Sequence, residues 1–174
     1  GSGSRGYSDG NSTSASFNYP GGVAVDGKGN VYVGDTQNNR IRKITPSGSV
    51  TTLAGSGSSA FADGQGTSAS FNGPNGLAVD GSGNLYVADS YNHRIRKITA
   101  NGTVTTLAGS GNEGFADGQG NAASFAYPLF LALDGSGYLY VTDTINGRIR
   151  KITASGAVTT LAGSGDFGYL DGQG

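Results

Sequence analysis

The chain has 174 residues, with 11 Lys and Arg against 12 Asp and Glu, so its formal net charge is -1. This balance provides no global field to attract nucleic acid or an anionic membrane. The absence of cysteine excludes disulfide and thiolate chemistry, and no apolar stretch approaches the ~20 residues that a membrane helix needs. The 33 glycines fall at fixed places between apolar runs, which indicates turns rather than disorder.

The chain contains three copies of one sequence unit, at a spacing of 54 residues. The phrase Asn-x-Arg-Ile-Arg-Lys-Ile-Thr begins at Asn38, Asn92 and Asn146. Such a period indicates copies of one supersecondary unit. We therefore divide the single domain, in chain order, into a lead-in loop (1–20, with 1–4 resembling a cloning remnant), a first blade (21–54), a loop (55–74), a second blade (75–108), a loop (109–128), a third blade (129–162) and a redundant copy of the lead-in loop (163–174).

Each unit has the pattern of four antiparallel strands joined by tight turns. In the middle copy the strands are predicted at 76–79, 85–88, 94–99 and 103–107. The turn signals are the stretch 80–84 and the pair Asn101-Gly102. The first two strands are continuously apolar rather than alternating, so both faces of the sheet should be covered. Four-stranded units covered on both faces by their neighbours describe the blades of a β-propeller.

The same copy resembles the NHL repeat of NHL-type β-propellers. The resemblance rests on Pro-x-Gly-x-Ala-Val-Asp at 74–80, Gly-Asn-x-Tyr-Val-x-Asp at 83–89 and Asn-x-Arg-Ile at 92–95. It implies an all-β fold of three blades per chain, in a family whose rings commonly have six. It also implies a binding or structural scaffold, although some members bind RNA and others are metal-dependent lyases.

Three blades do not close a ring, so the first and third should each expose a sheet face built for burial. Several hundred Å² of apolar surface on each face corresponds to roughly 10 kcal/mol of lost burial for the two. Head-to-tail association of identical chains would restore that burial. We expect the partner to be the chain itself, as a homodimer with six blades or, alternatively, a homotrimer with nine.

Nine of the eleven basic residues lie in the repeated Arg-Ile-Arg-Lys strands. One interpretation is a basic track for RNA. The favoured one is structural, because acidic residues balance the basic ones and aromatic residues do not interleave with them. It pairs the strands with a repeated aspartate within each blade: Asp35 with Arg40, Asp89 with Arg94, and Asp143 with Arg148.

No residue pattern predicts catalysis. His93 is the only histidine, at a turn position where the other copies have Asn39 and Gly147, and no nucleophile stands at a recognisable spacing from it. The stretches 26–30 and 80–84 begin like calcium loops but lack the further carboxylates and the terminal Glu. We predict no catalytic residue, no metal, no cofactor and no enzymatic activity, which leaves the lyase alternative weak.

The best binding hypothesis is the face on which the second turn of each blade and the inter-blade loops emerge. Loops gathered on a rigid scaffold often carry binding, and exposed Tyr91 and Ile145 would suit a protein or glycan. Phe130 replaces a glycine of the other copies and could line the channel. The predicted binding residues are Gln37, Asn38, Phe61, Tyr91, Asn92, Phe115, Phe130, Ile145 and Asn146, with Tyr169 on the same face.

The sequence identifies no ligand, and it does not fix a compartment. A secreted or periplasmic location is favoured if the chain is natural. The similarity of the copies suits a recently amplified array, a fragment of a larger propeller or a unit made to study propeller assembly.

Overall fold

The structure is a computed structural model and describes residues 1–166 and 168. It confirms the all-β class: within these residues, three sheets contain fifteen strands, accompanied by four single-turn 3-10 helices. The sheets are β1 to β5 (Gly10–Asn11, Pro20–Val25, Val31–Asp35, Arg40–Ile44, Ser49–Ala54), β6 to β10 (Gly64–Gln65, Pro74–Val79, Leu85–Asp89, Arg94–Ile98, Thr103–Ala108) and β11 to β15 (Gly118–Gln119, Pro128–Leu133, Leu139–Asp143, Arg148–Ile152, Ala157–Ala162). The helical turns are Thr36–Asn38, Gly66–Ser68, Ser90–Asn92 and Gly120–Ala122.

Within each sheet the order is the same: the two-residue strand, then the fourth, third, second and first strands of the meander. All pairs are antiparallel, and the register of the middle sheet places Leu85 opposite Ile98 and Val87 opposite Arg96. The first turn of this sheet closes because the Asp80 carboxylate accepts hydrogen bonds from Ser82 N–H (2.9 Å) and Asn84 N–H (2.8 Å). This is the turn expected of an Asp-Gly stretch rather than a calcium loop.

The prediction of four strands in each blade was wrong by one. The fifth strand of the middle sheet is Gly64–Gln65, which pairs with Thr103 and Val104 on the outer strand β10. Gly64 and Gln65 fall within the inter-blade loop predicted at 55–74. An outer strand leaves a row of backbone groups unpaired, and the loop preceding each sheet folds back to cover part of that row.

The three sheets pack face to face through two clusters of buried apolar side chains. Leu77, Val87 and Ile98 of the middle sheet face Tyr32 and Ile41 of the first sheet. The opposite face of the middle sheet packs on the third sheet, with Tyr86, Ile95, Leu139, Val141 and Ile152 among the buried residues. Both faces of the middle sheet are therefore covered, as its continuously apolar strands predicted.

The innermost strands approach so closely that glycine is required between them. A Cβ on Gly22 would lie 2.7 Å from the carbonyl oxygen of Asn75, and one on Gly76 would lie 2.5 Å from that of Leu129. Both distances are too short for a carbon atom beside backbone. The repeated glycine therefore sets the spacing of adjacent sheets at the axis.

We expect Gly76→Ala to lower the free energy of unfolding by about 2–3 kcal/mol, since the added methyl must push two backbones apart. Urea titration followed by circular dichroism would measure the loss. Gly81→Ala is the matched control, because a Cβ there meets nothing within 4 Å. Equal stability of the two variants would contradict the close-approach account.

Candidate functional site

An arginine lies fully buried at the centre of each repeat unit. In the middle unit Arg96 donates to Asp89 Oδ2 and to Asp63 Oδ1, each at 2.7 Å. It also donates to the carbonyl oxygens of Ser70 (3.1 Å) and Ala62 (2.8 Å). Asp89 belongs to the sheet, whereas the other three acceptors belong to the preceding loop. The guanidinium thus fastens that loop to the sheet.

The same arrangement recurs in the other two units. Arg42 pairs with Asp35 at 2.8 Å and with Asp9 at 2.7 Å. Arg150 pairs with Asp143 at 2.7 Å and with Asp117 at 2.6 Å. The expected intra-blade pairing of charges therefore exists, but with a different arginine from the one predicted.

The first arginine of each triplet forms no salt bridge with its predicted aspartate. Arg94 instead donates to the carbonyl oxygens of Asn92 (3.2 Å) and Ser110 (2.8 Å). Its guanidinium lies 3.8 Å from the centroid of the Phe61 ring. Ser110 belongs to the next inter-blade loop, so this arginine joins one unit to the following one. Arg40 and Arg148 make the corresponding contacts, with Ser56 and Ser164.

The predicted loop face exists, although its residues differ in what they can do. Gln37, Tyr91 and Ile145 are exposed at the second turns. Asn92, by contrast, donates to Asp89 Oδ2 and to the Ala60 carbonyl, and Asn38 and Asn146 make the same pair of bonds.

The predicted aromatic residues are used in three different ways. Phe61 and Phe115 are half-exposed and cover the arginines beneath them. Tyr91 meets Tyr127 edge to face, with the ring centroids 5.0 Å apart, and the neighbouring Tyr91 hydroxyl, together with burial, raises the pKa of Tyr127 to about 12. Phe130 lies apart, on the open face of the third sheet, and Tyr169 falls outside the described residues.

Residues 1–166 and 168 contain no group of three or more His, Cys, Asp or Glu side chains placed to hold a metal ion. His93 accepts a hydrogen bond from Tyr127 N–H at 3.2 Å and has a left-handed backbone, as its turn position predicted. In the same described part of the chain, no helix is long and apolar enough to cross a membrane.

The two end sheets each leave one face open. Val23 and Val25 of the first sheet are 62% and 59% exposed, whereas Leu77, the counterpart of Val23 in the middle sheet, is 6% exposed. On the third sheet Ile149 is 36% exposed, whereas its counterparts Ile41 and Ile95 are fully buried. The open faces therefore consist of the same positions that are buried between sheets inside the chain.

A hydroxyl-to-carbonyl contact joins neighbouring sheets, and sequence analysis missed it. Thr36 Oγ1 donates to the carbonyl of Pro74 at 2.9 Å, and Ser90 Oγ donates to that of Pro128 at 2.7 Å. The third member of this series is Thr144, which is exposed. It borders a cavity of about 390 Å³ on the open face, lined also by Leu129, Phe130, Thr142, Arg148 and Ile149.

Three repeated antiparallel sheets, packed face to face about closely spaced inner strands, define a β-propeller. A profile of the NHL repeat matches residues 17–44 and 71–98. The chain is 39% identical over 94 residues to NHL repeat-containing protein 2 of Gallus gallus, and 42% identical over 80 residues to the Arabidopsis thaliana protein SUPPRESSOR OF QUENCHING 1, chloroplastic. The chain belongs to the NHL-repeat propeller family.

These matches cover 53% and 45% of the chain, but only 13% and 8% of the two relatives. Among solved structures, a Bacteroides thetaiotaomicron protein of unknown function superposes with a TM-score of 0.64 at 32% identity, over 75% of this chain and 33% of that one. A catalytically inactive virginiamycin B lyase from Staphylococcus aureus superposes with a TM-score of 0.59 at 21% identity, over 81% and 40% of the two chains. At 21% identity, the similarity to the lyase shows only that the fold is shared.

The two carboxylates around Arg96 should differ sharply in their contribution to stability. Asp89→Asn should lower the free energy of unfolding by about 3–5 kcal/mol, because it leaves a buried guanidinium without its buried partner. Asp63→Asn should cost about 1 kcal/mol or less, because the Asp63 side chain is 45% exposed to water. Urea titration at pH 7 would compare the two variants, and similar losses would show that the network does not depend on burial.

Acid should destabilise the fold through the repeated turn aspartates. The side-chain hydrogen bond from Asn30 is the main cause that lowers the pKa of Asp26 from 3.8 to about 2. For Asp80, burial raises the pKa, but the hydrogen bonds from Asn84 and its neighbours together have the larger effect. The pKa of Asp80 is therefore lowered overall. Because these pKa values are lower in the folded state, the stabilisation is present above pH 4 and is lost as the pH falls towards 2.

The free energy of unfolding, measured at several pH values, should therefore decline from about pH 4 downwards. The decline should be shallower in Asp26→Asn, which cannot titrate at this turn. Identical pH dependence in the variant and the parent chain would contradict the assignment.

Proposed function

We propose that this chain is a non-catalytic propeller scaffold that associates head-to-tail with copies of itself. The observation that carries the proposal is the exposure, at the two ends, of positions that are buried between sheets inside the chain. Aliphatic side chains exposed together on a sheet face favour association. A second copy is the partner that supplies a matching surface by construction, because its sheets derive from the same repeat.

The outer part of the open face on the third sheet retains the residue types of an internal junction. Tyr140, Ile149 and Ala162 correspond to Tyr86, Ile95 and Ala108, which are buried against the third sheet. The opposite open face retains aliphatic residues, with Val23 and Val25 at the positions of Leu77 and Val79. Blade three of one copy therefore has the components to receive blade one of the next.

Thr144 would add a specific contact where the copies dock with the internal geometry. Its counterparts Thr36 and Ser90 donate to the prolyl carbonyl of the following sheet. In a head-to-tail pair the equivalent acceptor is the carbonyl of Pro20 in the second copy. Two chains would form six blades and three chains would form nine, and closure depends on the rotation between copies.

The repeated arginines favour a scaffold over the RNA-binding alternative. Arg42, Arg96 and Arg150 are buried in ion pairs, and the Arg40 series is bound to loop carbonyls. An assembled ring would present Gln37, Tyr91 and Ile145 on its loop face, where exposed side chains are suited to a protein or glycan partner.

Light scattering coupled to gel filtration should give two or three times the chain mass of 17.4 kDa. Ile149→Lys should return the mass to that of one chain, because it places a charge in the proposed junction. Gln37→Lys is the matched control, since Gln37 is exposed on the loop face of the first sheet, and should leave the mass unchanged. A parent chain that stays at single-chain mass at high micromolar concentration would contradict self-association.

A further inference from the structure

On the open face of the third sheet, three positions beside the inner strand depart from the repeat, and all three are larger than their counterparts. Phe130 stands where Gly22 and Gly76 stand, and Thr142 where Gly34 and Ala88 stand. Leu129 replaces Gly21 and Asn75. These residues border the inner strand, whereas the outer part of the face keeps the residues of an internal junction. The enlargement is therefore confined to the axial side of the face, whereas at the second turn Gly147 is smaller than its counterparts Asn39 and His93.

The internal junctions show what a side chain at position 130 would meet. A Cβ on Gly76 would lie 2.5 Å from the Leu129 carbonyl oxygen and 2.7 Å from the Cα of Phe130. A Cβ on Gly22 meets the next strand in the same way. If a second copy docked with this internal geometry, the Cβ of Phe130 would collide with its β2 backbone near Gly22. The collision involves backbone, so no change of side-chain rotamer relieves it.

We infer that the junction between copies is wider at the axis than the junctions within a chain, and that Phe130 is the wedge that sets its width. This inference rests on the proposed head-to-tail association. The ring of Phe130 is 55% exposed in the isolated chain and would fill the widened space beside the inner strand of the second copy. On that strand Val23 stands at the position that Leu77 and Leu131, which are larger, occupy in the other two sheets. The smaller side chain of Val23 leaves room for the ring of Phe130.

The widening has a consequence for the size of the assembly. Moving two inner strands apart, while the outer strands stay in contact, makes neighbouring sheets more nearly parallel. The rotation contributed by each junction between copies is then smaller than that of an internal junction. A closed ring needs more blades when some of its junctions turn less, so Phe130 biases the assembly towards the larger ring, of nine blades.

Two substitutions at one position separate the wedge from an apolar anchor. Phe130→Ala removes the ring but retains the Cβ, which is the atom that collides with backbone. Phe130→Gly removes the Cβ as well and recreates the internal junction. If Phe130 acts as a wedge, only Phe130→Gly should bring the inner strands of the two copies together. If its ring is an apolar anchor, both substitutions should weaken association.

The absence of cysteine allows a direct distance measurement between copies. Chains carrying Ile145→Cys and chains carrying Gln37→Cys are labelled separately with a nitroxide and mixed, and the distance between copies is measured by pulsed electron–electron resonance. The internal reference is a chain with Gln37→Cys and Tyr91→Cys, since these positions are exposed equivalents on neighbouring sheets.

We expect the distance between copies to exceed the internal reference in the parent chain and in Phe130→Ala, and to match it in Phe130→Gly. Sedimentation should show a dissociation constant about tenfold lower for Phe130→Gly, and within about threefold of the parent for Phe130→Ala. Equal distances in all three proteins, or equal weakening by both substitutions, would overturn the wedge.

The outcomes also separate this inference from the proposed function. If no variant associates, head-to-tail assembly is excluded and the wedge with it. If only Phe130→Gly associates, self-assembly of the parent chain is excluded, and the wedge is supported in its strongest form, as a block to docking.

Discussion

The structure depends on one buried cation in each repeat unit. Removing a guanidinium from water is costly, and the cost is offset only if carboxylates and carbonyls surround the charge. Arg42, Arg96 and Arg150 meet that condition with two aspartates and two loop carbonyls each. Because most of these acceptors come from the preceding loop, folding of the sheet and ordering of the loop become one event. The long loop is therefore a fixed part of the blade rather than a flexible connection.

The two arginines of the repeated strand act in opposite directions along the chain. The second arginine holds the loop that precedes its own sheet, and the first holds the loop that precedes the next sheet. In the middle unit these are the contacts of Arg96 with Ala62 and of Arg94 with Ser110. One five-residue strand thus builds the unit and also connects it to its neighbour. This explains why the basic charge recurs with the period of the fold without forming an open track.

Sequence reasoning recovered what is periodic and local. The 54-residue spacing, the four long strands and the Asp-Gly turn at Asp80 follow from turn chemistry and apolar patterning. It missed the short edge strand at Gly64 because a two-residue strand has no pattern of its own. It also paired Asp89 with Arg94, which is directly opposite in the ladder, whereas the side chain that reaches the carboxylate is that of Arg96. The other acceptors of Arg96 come from the preceding loop, whose path no local signal specifies.

The most informative positions are those at which one copy of the repeat differs from the other two. Positions inside a junction are constrained from two sides, and Gly22 and Gly76 have no alternative because backbone lies against them. Position 130 has no neighbouring sheet within the chain, so that constraint is lifted there. An unconstrained and unused surface would be expected to become polar, because exposed apolar groups promote unspecific association. Instead the position carries phenylalanine beside Ile149, and the opposite end keeps Val23 and Val25. Retention of apolar residues at both ends, with a change of shape at one, is the pattern that the proposed head-to-tail association requires.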